Sequence, residues 1–255
     1  MTAGGPYVYG IVKAGHPLPA DLRGVGTPAA ALELLSVGAT AAVVSAAPAR
    51  LRARRRDLLA HQEVLLALAL DGPVLPMRFG MLAPDAETVH EQLKAGRERY
   101  PRVLERLADR VEMNVKALSA TGALAALVAD EPHIRQLREA AQRRPGYEAN
   151  VRLGEAVVHT LARRAADAAQ QVVPELLALA VARSPGPQAA GTVLNMSFLV
   201  DRQDTAAFQQ TVHRLSAEYQ DRVELRVAGP LPCYSFTELE PEPSGRAVAV
   251  ARTGS

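Results

Sequence analysis

Few residues in this sequence have the type and spacing to do chemistry. Glu87-Thr88-Val89-His90 sets a carboxylate and an imidazole three apart, on one face of a helix, which is the spacing by which di-iron bundles hold metal. Such a centre needs a second copy and two further carboxylates on facing helices, and the sequence has no second copy. A solvated face carrying Glu87, His90 and Glu91 is the simpler reading. Asp57 and His61, four apart, could share a metal or merely pair on a helix surface; two ligands do not make a metal centre, so the surface pair is preferred. Cys233, the single cysteine, can form neither an internal disulfide nor a cysteine-based zinc site. As a nucleophile it would need a nearby base or cation, and no local signature supplies one, which leaves a small apolar core residue. Gly24-Val25-Gly26-Thr27-Pro28-Ala29 matches the dinucleotide fingerprint in letters alone. The residues before it do not form a buried strand, and about 20 residues on, where an acid should stand, the chain reads Ala46-Ala47-Pro48. Neither G-x-S-x-G nor G-x-x-x-x-G-K-[ST] occurs. No catalytic residue, metal ligand or cofactor site is assigned, and the chain is read as a non-enzyme.

Arg50, Arg52, Arg54, Arg55 and Arg56 form the one dense charge cluster, at the start of a helix whose other side is apolar. A solvated face is the ordinary explanation; a nucleic-acid or regulatory binder using this cluster is the alternative function. Composition argues against that alternative. The 255 residues carry 29 Lys+Arg against 27 Asp+Glu, a formal charge of +2, whereas dedicated nucleic-acid binders show a marked basic excess. With 48% hydrophobic and 22% charged residues the chain has the profile of a soluble globular protein, long enough for two modest cores. No apolar stretch is long enough to span a membrane, and MTAGGPYVYG lacks the layout of a signal peptide, so a cytoplasmic location is expected.

The elements that must position these residues follow from periodicity. Residues 7–13 are rich in β-formers, and 34–47 hold two apolar runs around Gly38, as a hairpin would. Leu51, Leu58, Leu59, Leu65, Leu66 and Ala69 predict a helix of about five turns, stopped by Asp71-Gly72-Pro73. A short strand is predicted over 74–80. Pro84-Asp85 then opens a helix with Val89, Leu93, Leu104 and Leu107 on one side, which Pro101 should kink or break. Beyond it come a strand over 111–117, a long helix from 146 to about 173, β-like runs over 176–183 and 193–200, a helix over 204–219 and a strand over 223–227. The long helix carries Val157, Val158, Leu161, Ala165, Ala168 and Val172 in one stripe; the later one carries Phe208, Val212, Leu215 and Tyr219. Strand, helix, strand, strand, helix, strand is the ferredoxin-like order, with 119–144 as a helical insertion. The fold class is therefore α+β in two domains: an α+β domain over 1–109, a ferredoxin-like domain with inserted helices over 110–238, and a loose Pro/Gly/Ser-rich tail over 239–255.

Four segments carry more than periodicity. YVYGIV from Tyr7, AAVVSAAP from Ala41, VLPMRFGML from Val74, and the pair LNMSFLVDR from Leu194 with GPLPCYSF from Gly229 resemble, in order, the gas vesicle protein F/L family. Cys233 departs from that pattern, which commonly has a second proline there, while Pro230, Pro232, Tyr234 and Phe236 keep it. The resemblance implies a non-enzymatic accessory or minor structural protein of gas vesicles, the gas-filled protein shells that give cells buoyancy. It implies that the protein supports vesicle assembly and associates with the shell protein and other gas vesicle accessory proteins. It also implies two α+β domains, the second a modified ferredoxin fold. Arg78, Phe79, Gly80, Gly229, Pro230, Pro232, Tyr234 and Phe236 are the motif residues, read as structural or partner-binding. Phe79 should anchor in a core, Gly80 allow a turn, and the Tyr234 and Phe236 rings cover a sheet end.

Overall fold

The computed structural model describes residues 5–48, 51–120, 127–128, 130–187, 189 and 191–238. Its first half is a four-stranded antiparallel sheet in the order β2-β3-β1-β4, made of β1 (Pro6–Lys13), β2 (Leu32–Val37), β3 (Thr40–Ala46) and the two-residue β4 (Leu75–Pro76). Helix α1 (Arg55–Asp71) covers one face, and α2 (Ala86–Ala95) with α3 (Arg99–Leu107) covers the other. β1 and β3 are thus buried on both sides, which is why AAVV at the centre of β3 reads as an apolar run without alternation. A bulge between Val8 and Gly10 changes the parity of β1. Tyr7, Tyr9 and Val12 therefore face α1, while Val8 and Ile11 face α2 and α3.

The second half is β5 (Arg110–Ser119), α4 (Pro132–Arg143), α5 (Tyr147–Leu177), β6 (Ala182–Pro185), β7 (Thr192–Asp201), α6 (Thr205–Glu218) and β8 (Val223–Leu231). Its sheet runs β6-β7-β5-β8 with every neighbour antiparallel, the ferredoxin-like arrangement, and β5 lies in register with β7 from Arg110↔Asp201 to Ala117↔Leu194, shifting by one residue before Leu118↔Thr192. Val111, Met113, Val115 and Ala117 of β5 pack with Phe198 and Val200 against Ala165, Ala168 and Val172 of α5 and Phe208, Val212 and Leu215 of α6. Asp109, at φ 56°, turns the chain from α3 into β5.

Several expectations are corrected. The helix opened by Asp85 ends at Ala95, and the break falls at 96–98 rather than at Pro101. Pro101 sits in the first turn of α3, where an amide N–H has no intrahelical acceptor and its absence costs nothing. Only Leu75–Pro76 of the strand expected over 74–80 joins the sheet, and 176–183 is a helix end followed by a short strand from Ala182. Leu58 and Leu59 are exposed, while α1 buries Asp57, His61, Val64, Leu65 and Leu68. Val158, placed in the apolar stripe of the long helix, is also exposed. Part of the insertion (121–126 and 129), Arg50 and the tail over 239–255 lie outside the described residues.

Candidate functional site

The family-like motifs converge on two buried polar clusters. In the first, α1 is laid across the sheet so that His61 meets the YVYG strand. Its Nε2 lies 3.0 Å from the Met77 carbonyl, which can only accept, so Nε2 carries the proton and Nδ1 accepts from the Tyr7 hydroxyl at 2.9 Å. Tyr7 in turn accepts from the Gly80 N–H at 3.1 Å. Tyr9 accepts from the Val25 N–H at 2.7 Å and bonds Ser45 Oγ at 3.0 Å. The His61 ring stacks on Tyr9, with centroids 5.5 Å apart, and meets Phe79 edge-on at 5.8 Å. Burial holds the imidazole below its ordinary pKa, opposed by the bond to the Met77 carbonyl, and raises both phenols. Asp57 and His61 are therefore not a surface pair. They are 5% and 2% exposed, His61 is spent on Tyr7 and Met77, and Asp57 meets Arg56 at 3.1 Å.

This cluster builds the RFG turn. Phe79 is half-buried against it, and Gly80, at φ 90°, takes the left-handed conformation that the turn requires. Arg78, Met81 and Leu82 are left exposed between the anchors. The glycine run at 24–26 belongs to the same cluster: a Cβ on Gly24 would fall 2.2 Å from the Tyr9 hydroxyl, and a turn, not a helix, follows. Close approach to Tyr9 accounts for the glycine, without a nucleotide.

The second cluster surrounds Glu112, on the face of β5 away from α5 and α6. Its Oε1 accepts from Ser197 Oγ at 2.7 Å and Ser235 Oγ at 2.8 Å, and its Oε2 accepts from the Ser235 N–H at 2.8 Å. These bonds pin the turn Tyr234–Phe236 beneath the sheet. Phe236 and Cys233 then join Leu199 in one apolar cluster with Val8, Ile11, Val103 and Leu104, so the CYSF segment crosses onto the first sheet. Tyr234 packs beside Tyr7 and Tyr9. Burial pushes the Cys233 thiol up to about 12, with the Glu112 charge adding to it, which suits a buried thiol and no thiolate chemistry. Gly229, at φ 147°, packs where a Cβ would lie 2.5 Å from Met113 Sδ, and its bond to Pro230 is cis. Sequence reading missed Glu112, Ser197, Ser235 and the burial of His61. An acid alternating with apolar residues in VEMNVKA was the only signal for Glu112.

Between the halves, a cleft of about 520 Å³ opens, walled by Leu66, Leu70 and Pro73 on one side and Pro230, Leu231 and Pro232 on the other. Arg202 spans it, donating to the Ala69 carbonyl at 2.7 Å. Leu70 is 77% exposed. Elsewhere, Glu87 and His90 lie on an exposed helix face with Lys94, and among the described residues no three His, Cys, Asp or Glu side chains converge as a metal site. Arg52, Arg54, Arg55 and Arg56 are exposed, and Arg52, Arg54 and Arg56 line an open cavity beside Gly26 and Pro48. No helix among the described residues is long and apolar enough to cross a membrane.

Residues 5–238 match the family described as Gas vesicle synthesis protein GvpL/GvpF. Gas vesicle protein F of Streptomyces sp. (strain CB03234) is 42% identical over 236 residues, covering 91% of this chain and 99% of that protein. Gas vesicle protein L of the same strain is 31% identical, covering 92% and 94%. The crystal structure of the gas vesicle protein GvpF from Anabaena sp. PCC7120 superimposes with a TM-score of 0.73 at 24% identity, covering 93% of this chain and all of that one. The GvpF crystal structure from Microcystis aeruginosa gives 0.71, also at 24%. At that identity the crystal structures speak for the fold.

Proposed function

Because this chain belongs to the gas vesicle synthesis protein GvpL/GvpF family, we propose that it binds the gas vesicle shell protein during assembly, without catalysis, as an accessory and minor structural component. The observation that carries this reading is the family match over 5–238, which takes in every described residue. The physical need is clear. A shell wall that keeps liquid water from its gas space needs apolar surface, and an unassembled subunit exposes it at about 25 cal/mol per Å². A protein that covers that surface keeps subunits from aggregating and competent to add.

We assign the motif residues two tasks. Phe79, Gly80, Tyr234 and Phe236 build the framework, together with Gly229. Arg78 on its anchored turn, and Pro230 with Leu70 at the apolar cleft, face the partner, while Pro232, which is buried, belongs to the framework. The protein then acts at the gas vesicle, in the cytoplasm. The proposed division into domains falls at 109/110, and a fragment over 110–238 should keep its sheet but expose Leu199, Cys233 and Phe236.

Co-expression with the shell protein, followed by pull-down at low salt and at roughly 0.5 M salt, tests the reading, because apolar burial survives the salt that screens exposed charges. Retention at both salts, reduced by Leu70→Asp, is expected. Failure to co-purify at either salt with both proteins soluble would overturn direct binding. Retention of nucleic acid, lost at high salt and in an Arg52→Ala/Arg54→Ala variant, would favour the basic cluster instead.

A further inference from the structure

The first half of α5 carries an apolar seam that nothing described covers. The helix has 31 residues, about 46 Å at 1.5 Å per residue. Its buried side chains run only from Ala165 to Leu176. The turns before them rest beside α4, tied there by Arg164 to Asp130 at 2.8 Å and Arg163 to Glu131 at 3.1 Å. Half-buried Leu153, Val157, Thr160 and Arg164 mark the side turned to α4. On another side Tyr147 is 85% exposed, Val151 38% and Val158 67%, with Gly154 between them. At about 100° per residue these four positions lie within about 60° of one another, and their intervals of four, three and four are those of a helix-pairing seam.

The seam is complementary to itself. Tyr147 and Val158 share a midpoint with Val151 and Gly154, between residues 152 and 153. A second helix laid antiparallel about a two-fold axis there sets Tyr147 against Val158, and Val151 against Gly154. Gly154 is a notch, with nothing within 4 Å of the place of a Cβ, and so can receive a valine. Along the flank away from α4 run Glu148, Arg152, Glu155 and His159. The same axis brings Arg152 toward the second copy's Glu155 and Glu148 toward the second copy's His159. Large against small and positive against negative, repeated about one axis, is the condition an isologous interface must meet and an unrelated partner does not impose.

We propose that the first half of α5 is a self-association surface, through which two copies of this chain pair antiparallel by Tyr147, Val151, Gly154 and Val158. The inference does not rest on the shell-protein reading. A contact of about three turns per helix is smaller than a standard interface, so the pairing is a weak one, in the range of about 10 to 200 µM.

Sedimentation equilibrium of the full chain between about 5 and 500 µM, which brackets that range, should show the mass rise from one chain toward two. Val158→Glu should hold it at one. Arg152→Glu and Glu155→Arg should each weaken pairing about tenfold, since each sets like charges together twice. The double variant should return to within about threefold of the parent. These positions are exposed, and an unchanged melting midpoint in dilute solution separates lost pairing from unfolding. A chain monomeric throughout, assembly beyond two copies, a dimer indifferent to Val158→Glu, or a double variant no better than the singles would overturn the proposal.

Discussion

Replacing Glu112 should loosen the CYSF segment from the second sheet. The carboxylate is buried and takes three donors, two serine hydroxyls and the Ser235 N–H, all within 2.8 Å. A hydrogen bond to a charged group contributes about 1.5–3 kcal/mol, and a part-buried N–H that loses its acceptor costs about 1 kcal/mol, the low end for an unpaired donor. In Glu112→Ala the two hydroxyls, 3.2 Å apart, can still bond each other, but the Ser235 N–H loses its acceptor and a cavity opens. The total should be about 3–5 kcal/mol, or roughly 6–20 °C in melting midpoint for a chain of this size. Glu112→Gln keeps the shape: its amide oxygen can accept from Ser235 N–H, and its NH₂ can donate to hydroxyls that rotate to receive it. That change should cost only about 1 kcal/mol. Urea unfolding of the three proteins gives the ranking, and limited proteolysis shows whether the alanine variant is cut after Leu231. Equal losses for Gln and Ala, or an Ala loss under about 1 kcal/mol, would mean that the three bonds do not hold the segment.

Three other outcomes are expected. Phe236→Ala, at a buried ring, should lower stability by about 3–4 kcal/mol in chemical unfolding and Phe79→Ala, at a half-buried one, by about 1.5–2.5 kcal/mol, and a variant as stable as the parent yet unable to bind the shell protein would reassign that ring to the partner surface. Gly229→Ala should cost at least about 2 kcal/mol, because φ 147° strains any side chain and the new methyl meets Met113 Sδ and the Glu112 carbonyl. Stability should fall at both ends of the pH scale, as followed by melting midpoint. Burial keeps His16 and His61 neutral in the fold and lowers their pKa from 6.5, so the unfolded chain binds the extra protons and stability drops as pH falls below about 6.5, less steeply in His61→Gln. Burial raises Tyr7 and Tyr9, and raises Cys233 and Tyr234 to about 12, so their contribution is complete below about pH 9 and is lost as pH rises above it.

The sequence by itself determined the order of the elements, the ferredoxin-like succession of the second half, the helix start at Asp85 and the turn at Gly80. These are local matters: the period of apolar residues separates strand from helix, and a capping acid or a glycine in left-handed backbone acts on its immediate neighbours. It also determined the family, since VLPMRFGML and GPLPCYSF keep their identity and order. Tertiary structure alone decided what those motifs do. Asp57 and His61 read as a surface pair because a polar pair on a helix normally stays wet; His61 goes inside only because Tyr7 and the Met77 carbonyl wait there, 54 and 16 residues away in sequence. Glu112 is buried for the same reason, its donors lying 85 and 123 residues on. The break before α3 fell at 96–98 because Pro101 is harmless in a first turn, and that position is known only once the turn is placed. The bulge at Tyr9 decides which face of the sheet each later residue of β1 occupies, and no period in YVYGIVK announces it. Burial of a polar group is unfavourable until its partner is in place, and partners brought together across the fold leave no spacing in the chain.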